Sequence, residues 1–312
     1  MHPFSARDDS FHFEKMGDRW WMTETSWFAF CVPERKLGGW FYTMVRPNIG
    51  TVAGGVWVWD DSAALPWEAL YSRNYTAMRL LEDQDLTDIS LPTGVTIKAL
   101  KPLTSYQLGF LDEGRLRADL RFDAVMDPRP LRKAGSAFGE LSHFDQFGRV
   151  TGKLDLYGEI IDVDCLAIRD RSWGPRPEHR PGQSAYVTGI ASPQDGFLAV
   201  TKWNHPGEIA YGFLIKDGEI QDLTGGRRIV ERDPKEHWVT RITIEATDAA
   251  GRTLHAAGTR MSGIIINRHS FIDSNGLIEW SINGKTGHGE DQDMWPVTLW
   301  SETRRALRQP SR

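Results

Sequence analysis

Val52–Trp59, VAGGVWVW, is built of β-branched and aromatic residues in a two-residue period, the pattern of a strand. The same pattern recurs on both sides of it. Trp27–Val32 (WFAFCV), Gly39–Val45 (GWFYTMV), Val95–Leu100, Leu116–Phe122, Ala185–Ile190, Phe197–Trp203, Ala210–Ile215, Trp238–Ala246 and Leu277–Ile282 all read as strands. Asp217-Gly218, Asn275-Gly276 and Asn283-Gly284 read as turns between them. Helical periodicity is confined to two short candidates, Pro66–Leu70 and Leu80–Leu86, and a last polar turn at Glu302–Arg308. Many short strands with Gly-rich turns predict an all-β protein of antiparallel barrels or sandwiches.

The chain has 312 residues, enough for two domains or one large β unit. Pro175–Gln183, PRPEHRPGQ, carries three Pro and a Gly in nine residues and suits a linker. It predicts a first domain over 1–180 and a second over 181–312. The 37 Lys and Arg against 42 Asp and Glu give a net charge of −5, which speaks against nucleic acid as a partner. No apolar run approaches the roughly 20 residues of a membrane span. MHPFSARDDS lacks the pattern of a signal peptide, and a cytoplasmic protein is expected. Cys31 and Cys165 have neither CxxC spacing nor companions for a disulfide framework.

Thirteen Trp, 14 Phe and seven Tyr stand out. Such rings fill a thick sheet core, or they line a cavity for a bulky apolar ligand. Trp40, Trp57, Trp59 and Trp203 are the candidates for the second role. The motifs of nucleotide, metal and serine chemistry are missing: there is no P-loop, HExxH or GxSxG. Gly50–Gly55, GTVAGG, has no following helix to present to a phosphate. The nine His are scattered. No cofactor and no metal are expected.

Three clusters remain. Arg169-Asp170-Arg171-Ser172-Trp173-Gly174-Pro175-Arg176 is an unusual strand end. It reads as an Arg–Asp ion pair with Trp173 packed on an Arg plane. It reads equally as an acid, Asp170, oriented by an Arg and walled by Trp173. Burial among aromatics raises a carboxyl pKa and an adjacent Arg lowers it, so the local sequence leaves the balance open. His143-Phe144-Asp145-Gln146 places an imidazole and a carboxylate two positions apart, on one face of a strand. Gly287–Trp295, GHGEDQDMW, reads as a solvated loop or as a polar wall through Glu290.

Gly139–Arg176, GELSHFDQFGRVTGKLDLYGEIIDVDCLAIRDRSWGPR, resembles the signature of a lipocalin-like superfamily. That superfamily includes carotenoid 1,2-hydratase (hydroxyneurosporene synthase) and, more remotely, tocopherol cyclase and fungal Diels–Alderases. The R-D-x-S-W-G-x-R form of some bacterial members is matched at Arg169, Asp170, Ser172, Trp173, Gly174 and Arg176. Trp27–Trp59 with Arg46-Pro47-Asn48, and the late Asp291–Pro296, fit the same layout. The resemblance implies two lipocalin-like β units and cofactor-free chemistry on a hydrophobic small molecule. The carotenoid hydratase pattern resembles Tyr-x-Asp-His-Asn-Trp-Gly, matched here by Asp170, Trp173 and Gly174, with Ile168, Arg171 and Ser172 in the Tyr, His and Asn places. Its Asp is the proposed proton donor.

Hydrating an alkene needs an acid, aromatic faces for the cation that forms, and a base for the attacking water. Asp170, His143 and Asp145 are the candidates for the acid–base roles, with Trp173, Arg176, Trp57, Trp59, Trp40, Trp203 and Glu290 on an isoprenoid-like or polycyclic substrate. Dehydration and isomerisation need the same parts. A binding protein without chemistry, or a pericyclase or cyclase, are the alternatives.

Overall fold

A computed structural model of the chain describes residues 4–15, 17–62, 64–131, 142–176, 182–268 and 271–308. Most of the Pro-rich break, 177–181, lies outside the described residues, as does 139–141 of the stretch that carries the resemblance. By its contacts the chain divides into two units, Met1–Trp59 with Ala69–Pro177, and Asp60–Glu68 with Glu178–Arg312.

The first unit is one antiparallel sheet. Its strands are β1 (Met22–Val32), β2 (Leu37–Arg46), β3 (Thr51–Trp59), β4 (Tyr71–Arg79), β5 (Asp88–Ser90), β6 (Val95–Lys101), β7 (Ser105–Asp112), β8 (Leu116–Ala124), β9 (Arg129–Pro130), β10 (Ser142–Leu156) and β11 (Glu159–Pro175). They pair in the order β4-β3-β2-β1-β11-β10-β8-β7-β6-β5, with β9 beside β10. The sheet curls, because side chains several strands apart meet over one face. Phe28 of β1 lies 5.3 Å from the Tyr106 ring of β7 and 5.5 Å from Phe122 of β8. Tyr71 of β4 donates to Asp112 of β7 at 2.7 Å. The concave face thus closes over Leu108, Leu120, Phe122, Val150 and Leu154, all buried. The N-terminal segment is tied to the same face. Arg169 meets Asp9 at 3.1 Å and donates to Gln146 Oε1 at 2.8 Å, its guanidinium lying over the rings of Tyr106 and Phe144. Arg171 pairs with Glu24 and donates to Ser10 O at 2.8 Å. Desolvated cations need such acceptors.

The second unit is a closed barrel of eight antiparallel strands: β12 (Ser184–Ser192), β13 (Asp195–Lys202), β14 (His205–Lys216), β15 (Glu219–Arg232), β16 (Val239–Asp248), β17 (Thr253–Asn267), β18 (Phe271–Ile282) and β19 (Lys285–Pro296). Each strand pairs with the next and β19 returns to β12, which removes free edges. Phe197, Leu214, Ile244, Ile278 and Trp280 form its core. The helix α1 (Val297–Arg308) follows. The architecture is all-β and lipocalin-like, with one closed barrel and one open, curled sheet.

Local expectations change in three places. Pro66–Leu70 and Leu80–Leu86 form turns rather than helices. Leu65 packs on Ile265, Ile272 and Trp295 of the barrel, and Asp83 takes a left-handed φ of 66°, which a helix does not accept. Asn275-Gly276 is no turn; both lie inside β18, where Asn275 is fully buried. Gly287–Trp295 is a strand and not a solvated loop, because β19 is hydrogen-bonded along both of its edges, to β18 and to β12.

Candidate acid–base site

Strand register assembles the site. Tyr157 and Gly158 both take positive φ, 53° and 89°, in a two-residue turn closed by the Leu156–Glu159 pair. Counting outward from it, Asp145 falls opposite Asp170 and His143 opposite Ser172. On the other side of β11, Trp27 stands opposite Asp170 and Thr25 opposite Ser172, and Tyr42 of β2 follows Trp27. Directly opposed residues share a face. One face of the sheet therefore carries the row Asp145, Asp170, Trp27, Tyr42 and, beside it, His143, Ser172, Thr25.

His143 Nε2 is 2.9 Å from Asp145 Oδ1 and 3.8 Å from Asp170 Oδ2. Asp145 is fully buried, whereas the Asp170 side chain keeps 17% of its exposure. Burial alone pulls the His143 pKa down, but the charges of Asp145 and Asp170 and the hydrogen bond to Asp145 outweigh it, against opposition from Arg176, and the net shift is upward. Arg176 donates to Ser172 Oγ at 2.5 Å, and Ser172 Oγ lies 2.7 Å from Thr25 Oγ1. An imidazole held between two carboxyl groups, beside an arginine and two hydroxyls, is an arrangement for moving protons.

An aromatic band adjoins it on the same face. The Trp27 ring meets Trp40 edge-on at 5.4 Å, and Trp40 meets Trp59 at 5.7 Å and Trp57 at 6.0 Å. Of the sequence candidates, the first unit thus brings together His143, Asp145, Asp170 and Arg176, with Trp40, Trp57 and Trp59 beside them. Trp173 departs from the expectation. It stands three positions after Asp170, an odd offset, so it lies on the opposite face of β11. There it stacks on His12 at 4.2 Å and under the Arg171 guanidinium at 5.1 Å, and it walls no part of the Asp170 surroundings. Trp203 and Glu290 belong to the second unit. Trp203 is half-buried in the β13–β14 turn. Glu290 takes a hydrogen bond from Asn275 at 3.2 Å, and its N–H donates to Thr188 Oγ1 at 3.0 Å. Trp27, Thr25 and Tyr42 were not candidates, although Trp27 shares the period-two signal of Trp40.

Among the described residues, no three His, Cys, Asp or Glu side chains gather as a metal-ligand group. A groove of about 560 Å³ lies in the second unit, lined by residues such as Thr224, Glu245 and His255. It is open and holds none of the acid–base candidates.

Solved structures share the fold, three of them as follows. An AttH protein of Nitrosomonas europaea superposes with a TM-score of 0.69 at 13% identity, over 94% of this chain and 96% of that one. Kievitone hydratase of Nectria haematococca gives 0.58 at 11% identity, over 96% and 94%. CghA with Sch210972 gives 0.57 at 11% identity, over 91% and 93%. No protein of curated function matches the sequence. Residues 5–296, nearly the whole described chain, match one family model, and the protein belongs to that family, described as Domain of unknown function (DUF7064).

Proposed function

We propose that the first unit carries an acid–base site that adds water to, removes water from, or isomerises a hydrophobic small molecule, using the chain's own side chains. The observation that carries this reading is the meeting of two carboxylates on one imidazole, 2.9 and 3.8 Å away, beside a band of indole rings. Sharing a fold with a kievitone hydratase supports the reaction class.

In the hydration direction Asp170, the partly exposed member, reacts in its neutral carboxylic acid form and gives its proton to an alkene carbon. The π pair forms the new C–H bond and leaves a cation on the neighbouring carbon. Indole faces such as that of Trp27 stabilise a cation by about 0.5–2 kcal/mol each without bonding to it. Water bonds to the cation and its surplus proton returns to the Asp170 carboxylate. His143, held by Asp145, presents positive charge to that carboxylate while it waits. Dehydration runs the same steps backward.

The test incubates the protein with a panel of prenylated phenols and isoprenoid tertiary alcohols in D₂O. Mass spectrometry then reads gain or loss of water and deuterium at carbon. Turnover or exchange that vanishes in Asp170→Asn is the expected result. Saturable binding of these compounds with neither exchange nor turnover would make the protein a carrier and overturn the reading.

A further inference from the structure

Five charged side chains gather in the second unit: Arg228 and Arg232 of β15, Arg260 of β17, and Asp291 and Asp293 of β19. Both carboxylates are fully engaged. Asp291 takes Arg228 through three contacts of 2.6–3.0 Å. Asp293 takes Arg232 at 2.7 Å, the Trp295 indole N–H at 2.7 Å and the Gln183 amide at 3.1 Å. Nearby charges are engaged as well. Asp233 accepts the backbone N–H groups of Lys235 and Glu236, and Glu236 pairs with Arg304.

Arg260 is the exception. Among the described residues it has no hydrogen-bond acceptor; its guanidinium lies over the Trp238 ring at 5.1 Å. It also lies so close to Gly263 that a Cβ there would come within 2.1 Å of a guanidinium nitrogen. Desolvation pulls its pKa down to about 10, although Asp291, Asp293 and Asp233 all push it up. Arginine still keeps its proton at neutral pH, so its N–H groups remain charged donors without an acceptor among the described residues. The side chain is half-buried and so reachable from solvent. Trp238, Leu65 and Trp300 are all partly buried and pack against one cluster, Ile265, Ile272 and Trp295.

We infer that this part of the second unit binds an apolar monocarboxylate, its carboxylate on Arg260 and its body on Trp238, Leu65 and Trp300. A planar carboxylate matches two parallel guanidinium N–H groups, and Arg260 is the arginine of this cluster whose N–H groups no carboxylate of the described residues accepts. The apolar body covers ring and aliphatic surface that water now wets.

Calorimetric titration of the full chain with octanoate tests the proposal, with octanamide and inorganic phosphate as comparison probes. Saturable binding of one octanoate is expected, with octanamide weaker by about tenfold or more, since a charge-assisted pair is lost. Arg260→Gln should weaken octanoate by a similar factor, while its melting temperature equals or exceeds that of the wild type. Arg260→Lys, which keeps the charge and loses the fork, should fall between. Absence of saturable binding at millimolar octanoate overturns the proposal. So does octanoate binding that Arg260→Gln leaves unchanged, or phosphate binding as tight as octanoate.

Discussion

Asp145 and Asp170 face each other directly across the β10–β11 pair, two carboxylates on one side of the sheet. Like charges in that relation destabilise a sheet. His143 compensates for them, with its Nε2 2.9 Å from one and 3.8 Å from the other. The site therefore holds opposed charges whose balance depends on where protons sit, which is what proton transfer to a substrate requires.

The first prediction separates catalysis from support. Asp170→Asn keeps shape but removes the acid and one of the two opposed charges. Turnover should fall by about 10²–10⁴, the usual contribution of general acid–base catalysis. The melting temperature should hold or rise, because repulsion with Asp145 is relieved. Rate and melting temperature measured on one preparation check this; a destabilised variant with normal turnover would assign Asp170 a structural role.

The second concerns pH. The folded-state pKa of His143 lies above its unfolded value, so protons favour the folded form. The stability this contributes is complete below the unfolded pKa of about 6.5 and is lost as pH rises through the raised folded value. Melting temperatures across that range should decline more steeply for the wild type than for His143→Gln. Parallel curves would show that His143 is not the group that titrates.

Much of this site was legible in the residues, and parity explains both the success and the error. His143 and Asp145 stand two apart, so one strand puts them on one face. By the same count Asp170 and Trp173 are on opposite faces, and the motif's compactness in sequence hid that. Asp145 lies as many residues before Leu156 as Asp170 lies after Glu159, so reading Tyr157-Gly158 as a hairpin turn would have paired them. Tyr is an unusual occupant of a position with positive φ, which masked the turn. The contacts of Asp9, Glu24 and His12 with the Arg169–Trp173 stretch were not legible, since no local pattern links residues so far apart. Nor was the open form of the first sheet against the closed second barrel, because strand patterns do not say whether the last strand meets the first.

The third prediction follows from one of those distant contacts. Asp9 and Arg169 are both almost fully buried and meet at 3.1 Å. Removing one partner strands the other, and breaking a buried pair costs about 3–5 kcal/mol. Asp9→Ala should lower stability to urea by that order, although Asp9 lies in a short N-terminal turn outside the sheet. Arg169→Met with Asp9→Leu should recover part of the loss, since an apolar pair leaves no charge behind. Denaturant midpoints at constant slope measure both; an Asp9→Ala midpoint equal to the wild type would show the contact to be idle.

The last concerns the core that supports the site. Gly148 of β10 stands where an added Cβ would come within 2.3 Å of the Phe122 ring. Phe122 is fully buried and lies 5.5 Å from Phe28 and 6.1 Å from Tyr106, the ring that carries Arg169. Those rings hem it in, and overpacking of this kind costs about 1–3 kcal/mol. Gly148→Ala should therefore destabilise the fold by that amount, even though alanine is otherwise acceptable in a strand. Phe122→Leu alone should also destabilise, by leaving a cavity. Combined, the two should cost less than their sum, because the smaller side chain makes room for the new methyl. A double-mutant cycle by urea denaturation reads this coupling directly. Strict additivity would mean that the ring and the glycine do not share that space.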